Sequence, residues 1–453
     1  MERNVVQVIG AGLAGSEAAW QLARRGVRVR LFEMRPQQMT PAHQTGLFAE
    51  LVCSNSLRSA SLDTAVGVLK EEMRRLGSLI MLAAEQARVP AGAALAVDRN
   101  AFASMITQTI KSHPLVEVEA TEVTTLPDGP SILATGPLTS AALGIALSEI
   151  IGPRSLYFYD AIAPIVAAES IDFSVAFKAS RYGKGSDDYI NCPMNEAEYD
   201  RFVSAIMAAD KVELHPFEQP IYFEGCMPVE EMARRGRQTL AFGPMRPVGL
   251  VDPRTGRRPF AVVQLRQDDY EGQLFNMVGF QTKMTYPAQR RVFRMIPGLE
   301  RADFVRLGSL HRNTFIDSPR LLRPTLQLNV REDLFVAGQM IGVEGYVESA
   351  AAGLLAAINA ARLINGIEPL VPPRDTALGS LITYITNPSR REFQPMNANF
   401  GLMPEVEHAS RGHNKKVAMG ARALNAIDDW IRSHRIVESA VQHAPFTQSE
   451  PLD

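Results

Sequence analysis

A glycine loop set between a strand and a helix constrains this chain more than any other feature. Residues 5–9 (VVQVI) form a short apolar run, the pattern of a strand buried on both faces. Gly10-Ala11-Gly12-Leu13-Ala14-Gly15 follows, then a helical pattern through Ala18, Leu22 and Ala23 that stops at Gly26. Residues 27–32 (VRVRLF) alternate as a second strand and end on Glu33. Strand, loop, helix, strand and acid within about 30 residues make a dinucleotide-binding βαβ unit. Gly10 permits the tight turn, Gly12 lets backbone N–H groups approach a pyrophosphate, and Gly15 lets the helix pack closely on the sheet. The helix N-terminus carries about half a positive charge and faces the phosphate. Glu33 is expected to accept hydrogen bonds from the ribose hydroxyls.

Two later segments point to FAD as the dinucleotide. Residues 132–136 (ILATG) are a strand running into a turn through Thr135 and Gly136. Residues 334–338 (LFVAG) are a buried strand that leads through Gly338 and Gly342 into a long Ala-rich helix from about Glu348. Both are similar to the secondary signatures of two-dinucleotide-binding flavoproteins. An NAD-only fold needs no second segment some 320 residues after the first. The expected fold class is α/β, a Rossmann-like two-dinucleotide-binding FAD domain interrupted by a smaller mixed α/β insertion domain.

Between these segments the pattern changes. Residues 40–62 are polar and turn-rich and read mostly as loop, and a helix is expected from about Val66 to Gln86. Strands are expected at 115–123 and 131–135. From about 155 to 300, prolines and aromatics interleave with strands such as 260–266 (FAVVQLR) and 274–281 (LFNMVGFQ). The expected division is 1–155 with 300–453 for FAD, and 156–299 for the insertion. At 453 residues, two or three packed units are anticipated. No run reaches the roughly 20 apolar residues of a membrane span, and no signal-peptide pattern opens the chain. A soluble, cytoplasmic protein is expected.

Three cysteines, an odd number, exclude a complete disulfide framework and suit a reducing compartment. Cys53 stands in ELVCSNS (50–56), a polar loop expected near the flavin. Cys226 stands in FEGCMPVEE (223–231), where Pro228 and the acids Glu230 and Glu231 mark a helix start. A thiol at a helix N-terminus gains thiolate character, which attack on an electron-poor ring carbon requires. Cys192, between Asn191 and Pro193, reads as a small buried hydrophobe.

The chain's formal net charge of −2 supplies no global pull toward polyanions. Residues 231–260 nevertheless hold Arg234, Arg235, Arg237, Arg246, Arg254, Arg257 and Arg258 against Glu231 and Asp252, a local net of +5. Lys283, Arg290, Arg291 and Arg294 follow, and Arg411, His413, Lys415 and Lys416 form a second basic run. A solvated face is the plain reading of such a run. The arginine bias suits bidentate phosphate contacts, so these residues are candidates for RNA binding.

The combination of GAGLAG (10–15), LVCSNSL (51–57), AFGPMRPVGLVDPRTGRRPFAVVQLRQ (241–267), HRNTF (311–315) and QPMNANFGL (394–402) resembles the TrmFO family. These are folate- and FAD-dependent tRNA uracil-5 methyltransferases, related to the GidA family. The similarity runs from Val5 to about Trp430. It implies that 5,10-methylenetetrahydrofolate supplies a one-carbon unit, FAD carries and reduces it, and NADH or NADPH supplies electrons. The acceptor it implies is C5 of a uridine in the tRNA T-loop. It also matches the family's two functional cysteines to Cys53 and Cys226. Which cysteine attacks uracil stays open at this point, and no metal is implied. A monomer is favoured. Alternatives are a GidA-like wobble-uridine enzyme, ribosomal RNA uracil-5 methylation, and a non-catalytic RNA-binding flavoprotein.

Overall fold

The computed structural model describes residues 5–152, 155–161, 163–183, 187–212, 227–308, 310–390, 393–406 and 413–436. Cys226, Arg411 and the side chain of His413 lie outside what it describes. Two six-stranded sheets organise the chain. The first runs Gln327–Leu328, Arg331–Val336, Ser131–Leu133, Val5–Ile9, Arg28–Phe32, Val116–Glu119. All its neighbours are parallel except the Gln327–Leu328 edge, which returns antiparallel. The second runs Phe177–Lys178, Tyr189–Met194, Ala261–Gln267, Leu274–Met277, Ile165–Ala167, Phe304–Arg306, with every pair antiparallel. A ribbon of Ser155–Ala161 against Leu310–Ile316 leads from one sheet to the other and back. The fold is therefore the expected Rossmann-like α/β arrangement carrying a smaller mixed insertion. Each sheet has its own apolar core: one gathers Val6 to Ile151 with Ile316 to Ile436, the other Val166 to Phe304.

Close packing at glycine sets the geometry of the first unit. The helix Leu13–Ala23 lies against Tyr346–Ile364, and a Cβ on Gly353 would stand 2.1 Å from the Ala14 carbonyl oxygen. Only small residues allow this approach, which accounts for the alanine-rich stretch from Ala350 to Ala361. By length and composition Tyr346–Ile364 could cross a membrane, yet 83% of its apolar window is buried inside the fold. It is a core helix.

Two local expectations change. The single helix foreseen from Val66 to Gln86 is two, Ala65–Arg75 and Leu79–Gln86. Gly77 adopts φ +71° between them, and Arg24 Nη1 donates to the Gly77 carbonyl at 2.8 Å. Ser78 then caps the second helix by accepting from the Met81 N–H. Apolar periodicity continued through the break, so the break was hidden. In the segment read as loop, Ser56–Ser59 pairs antiparallel with Ala94–Val97. Its polar sequence carries no alternation, and only Leu57 points into the core.

Candidate active site

A cleft opens at the carboxyl ends of the parallel strands, where the strand order reverses beside Val5–Ile9. Gly10, Gly12, Leu13, Ala14, Glu33, Thr135, Gly136 and Gly338 all line it. Gly10 has φ +94°, and a Cβ there would meet the Ala134 carbonyl oxygen at 2.7 Å. A Cβ on Gly15 would stand 1.7 Å from the Gly10 carbonyl oxygen, so helix and loop interlock. At Gly12 a Cβ would meet nothing within 4 Å. Gly12 is also the N-cap of Leu13–Ala23, and no side chain caps it. Uncapped N–H groups, a positive helix end and an open space above them are what a pyrophosphate needs. The residues present fit FAD.

Around this cradle Ala11 is buried, and its N–H donates to Glu33 Oε2 at 2.8 Å. Arg35 Nε donates to Glu33 Oε1 at 2.9 Å. Burial opposes the Glu33 charge, but the Arg35 hydrogen bond and charge outweigh it and hold the carboxyl below its ordinary range. Thr135 Oγ1 lies 2.6 Å from Thr139 Oγ1. Gly342, with φ +79°, is packed under the Phe393 ring, away from the cradle.

Cys53 stands at the rim, between Val52 and Tyr346, residues that respectively precede and touch it; Val52 and Tyr346 both line the cleft. The Tyr346 hydroxyl accepts the Cys53 N–H at 2.8 Å and the Ser54 N–H at 3.2 Å. With its lone pairs so engaged, its own proton is directed to Cys53 Sγ, 2.8 Å away. Burial first, then the charge of the neighbouring sulfur, push the Tyr346 phenol well above its usual value, so it stays protonated. Arg99, Arg266 and Arg306 all lie within electrostatic reach of Cys53. A partly exposed thiol bonded to a hydroxyl and within electrostatic reach of three guanidiniums is a reactive environment. Sequence reasoning selected Cys53 but missed Tyr346, Arg99, Arg266 and Arg306. One signal was available: Gln264 and Arg266 put two polar side chains on one face of a strand that opens on three apolar residues, Ala261 to Val263.

The remaining candidates separate. Cys192 is fully buried in Tyr189–Met194, and burial, then the Glu300 charge, push its thiol up to about 12. The helix after Cys226 spans only Val229–Arg234, with Pro228 as its N-cap. Glu230 in its first turn bonds Thr282 Oγ1 and the Met284 N–H. All seven arginines of 231–260 are exposed, but not equally available. Arg237 is held by Asp200 and Glu196, Arg254 by Asp252, and Arg234 by Glu231. Arg235 also has an interaction within the chain. Among the described residues Arg246, Arg257 and Arg258 carry no ion pair. Lys283 pairs with Glu231, Arg291 lies 3.7 Å from Asp210, Arg294 donates to the Ala302 carbonyl, and Lys415 pairs with Glu405 at 2.7 Å. Arg290 and Lys416 are exposed or nearly so.

The family described as glucose inhibited division protein A matches residues 5–368. Over 430 residues the chain is 61% identical to the methylenetetrahydrofolate–tRNA-(uracil-5-)-methyltransferase TrmFO of Geobacter sulfurreducens, covering 94% of this chain and 99% of that one. The TrmFO of Anoxybacillus flavithermus is 60% identical over 428 residues, with the same two coverages. Among solved structures, Aquifex aeolicus GidA superposes with TM-score 0.70 at 18% identity, covering 96% of this chain and 74% of that one. That likeness speaks to the fold.

Proposed function

The chain belongs to the TrmFO family, and from that premise we propose how its residues share the work of a folate-dependent tRNA uracil-5 methyltransferase. The one-carbon unit of 5,10-methylenetetrahydrofolate goes to C5 of a tRNA uridine. Bound in the cleft, FAD supplies the electrons, drawn from NAD(P)H, that turn a methylene into a methyl. The wobble-uridine, ribosomal RNA and non-catalytic alternatives are not favoured by relatives this similar.

Gly12, Leu13 and Ala14 present backbone N–H groups to the pyrophosphate, and Glu33 faces the adenosine ribose. Thr135, Gly136 and Gly338 shape the far wall. What most supports a catalytic Cys53 is its sulfur 2.8 Å from Tyr346 Oη at the mouth of this cleft. Cys53 then works on the flavin side, where the Tyr346 hydroxyl hydrogen-bonds its sulfur. Cys226 is left the attack on uracil: its thiolate adds at C6, which makes C5 enolate-like. Once the new C–C bond forms, loss of the C5 proton and departure of the thiolate restore the ring. We assign FAD binding to residues 1–155 and 300–453 and RNA contact to 156–299. The finer reading is 5-methyluridine in the T-loop, made by a cytoplasmic monomer.

The purified protein should be given labelled methylenetetrahydrofolate, NAD(P)H and unmodified tRNA. Label should appear at uridine C5 in the T-loop, and label at the anticodon or none at all overturns the reading. Arg246, Arg257 and Arg258 are the arginines left for phosphate. Replacing all three by Ala should weaken tRNA binding and flatten its log–log salt dependence by about 2 to 3, at 0.7–0.9 per contact. FAD content should not change. An unaltered slope would make this patch a solvated face.

A further inference from the structure

The strand Ala261–Gln267 belongs to the insertion, yet its end reaches across to the Cys53 loop. Arg266 Nε and Nη2 donate to Asn55 Oδ1 at 3.0 and 2.9 Å, and Nη2 also donates to Ser54 Oγ at 2.8 Å. Asn55 Nδ2 returns a bond to the Gln267 carbonyl at 2.8 Å. On the other side of Cys53, Arg99 donates to the Leu51 carbonyl while its Nε and Nη2 fork grips Asp268 at 2.9 and 3.2 Å. Both flanks of the cysteine are thus tied to consecutive positions of one strand end. Arg266 is 7% exposed, and a guanidinium is costly to bury. Docking two apolar surfaces would not require one there.

We propose that Arg266 is a positioning residue through which the insertion fixes the place of Cys53 and favours its thiolate. The inference rests on the catalytic reading of Cys53. Rigid forks limit where the sulfur can sit relative to the cleft, and a cation within electrostatic reach favours the charged form of a thiol. The groups acting on the sulfur are Tyr346, hydrogen-bonded to it from its helix, and, through their charge, Arg99 from Arg99–Ser112, Arg266, and Arg306 from Phe304–Arg306. Asp268 pairs with Arg99, and the charge of Glu50 acts on Arg306.

The test is site-resolved alkylation of Cys53 by iodoacetamide against pH, read by peptide mass mapping on FAD-loaded protein, beside tRNA methylation kinetics. Arg266→Ala should raise the alkylation midpoint by about one pH unit and lower kcat by about 10- to 100-fold with KM for tRNA unchanged. Arg266→Lys keeps a charge but loses the fork, so its midpoint should stay near the parent's while kcat falls. An unmoved midpoint together with unchanged kcat per folded molecule, in the presence of a lowered melting temperature, overturns the proposal and leaves Arg266 a docking residue. Should Arg266→Ala fail to fold, Arg266→Lys decides alone: a lowered kcat supports positioning, and an unchanged one overturns it. Cys53→Ala run in parallel keeps the two readings apart. Full methylation by that variant removes the premise, whatever Arg266 does.

Discussion

Cys53→Ala is expected to lower tRNA methylation by about a thousandfold or more while FAD stays bound and the fold stays intact. The change removes a sulfur at the rim of the cleft and leaves the backbone contacts in place, because Tyr346 Oη still accepts the N–H groups of residues 53 and 54. The bond to Sγ is lost. A chemical cysteine has no substitute, so the loss falls on turnover. A packing cysteine behaves otherwise, and this chain supplies the control. Cys192 is fully buried, and its thiol is pushed up to about 12. Cys192→Ala should cost roughly 1 to 3 kcal/mol of stability with activity per folded molecule preserved. Turnover and melting temperature measured for both variants separate the cases. Retained turnover in Cys53→Ala with a lowered melting temperature would put Cys53 in the same class as Cys192.

What the sequence made legible follows from how local each feature is. The glycine loop, the strands around it and the acid at Glu33 lie close together in the chain, and local sterics alone specify them. The same holds for Gly338 and the alanine-rich helix, whose composition records a close approach to Ala14. Cys53 was visible for a different reason, its polar setting. Its partners were not visible. Tyr346 lies 293 positions away, and Arg266 213 positions away, so no spacing rule joins them to it. The arginine run was read at a net of +5 because the count could not include acids brought in by folding. Asp200 and Glu196 come from the helix Glu196–Ala208 and take Arg237. For Cys226 the helix-start signal was right about where Val229–Arg234 begins, but that helix is a single short element whose first turn already carries Glu230 and Glu231. Carboxylates there offset the positive end that the thiolate argument relied on. Cys53 instead draws on Tyr346 and three arginines, groups that no local reading contains.

Gly12→Val should give a folded, colourless protein. The three glycines of the loop fail differently when a side chain is added, and the differences come from their surroundings. At Gly10 a Cβ meets backbone at 2.7 Å in a left-handed conformation, and at Gly15 it meets the Gly10 carbonyl oxygen at 1.7 Å. Substitutions there force the strand, loop and helix apart, so lost cofactor would merely report lost structure. Gly12 has φ −70° and ψ −168°, extended backbone that any residue adopts, and nothing lies within 4 Å of the added Cβ. Valine can therefore be built without strain, yet it stands over the uncapped N–H groups and fills the space a pyrophosphate requires. The proper comparison is apo parent protein, because a bound ligand itself raises stability by mass action. Gly12→Val should melt within a few degrees of the apo parent, show no flavin absorbance, and gain no stability when FAD is added. The holo parent should melt higher. Stoichiometric FAD released from purified Gly12→Val would show that the phosphate lies elsewhere, and with it the cradle built on the Leu13–Ala23 helix would have to be abandoned.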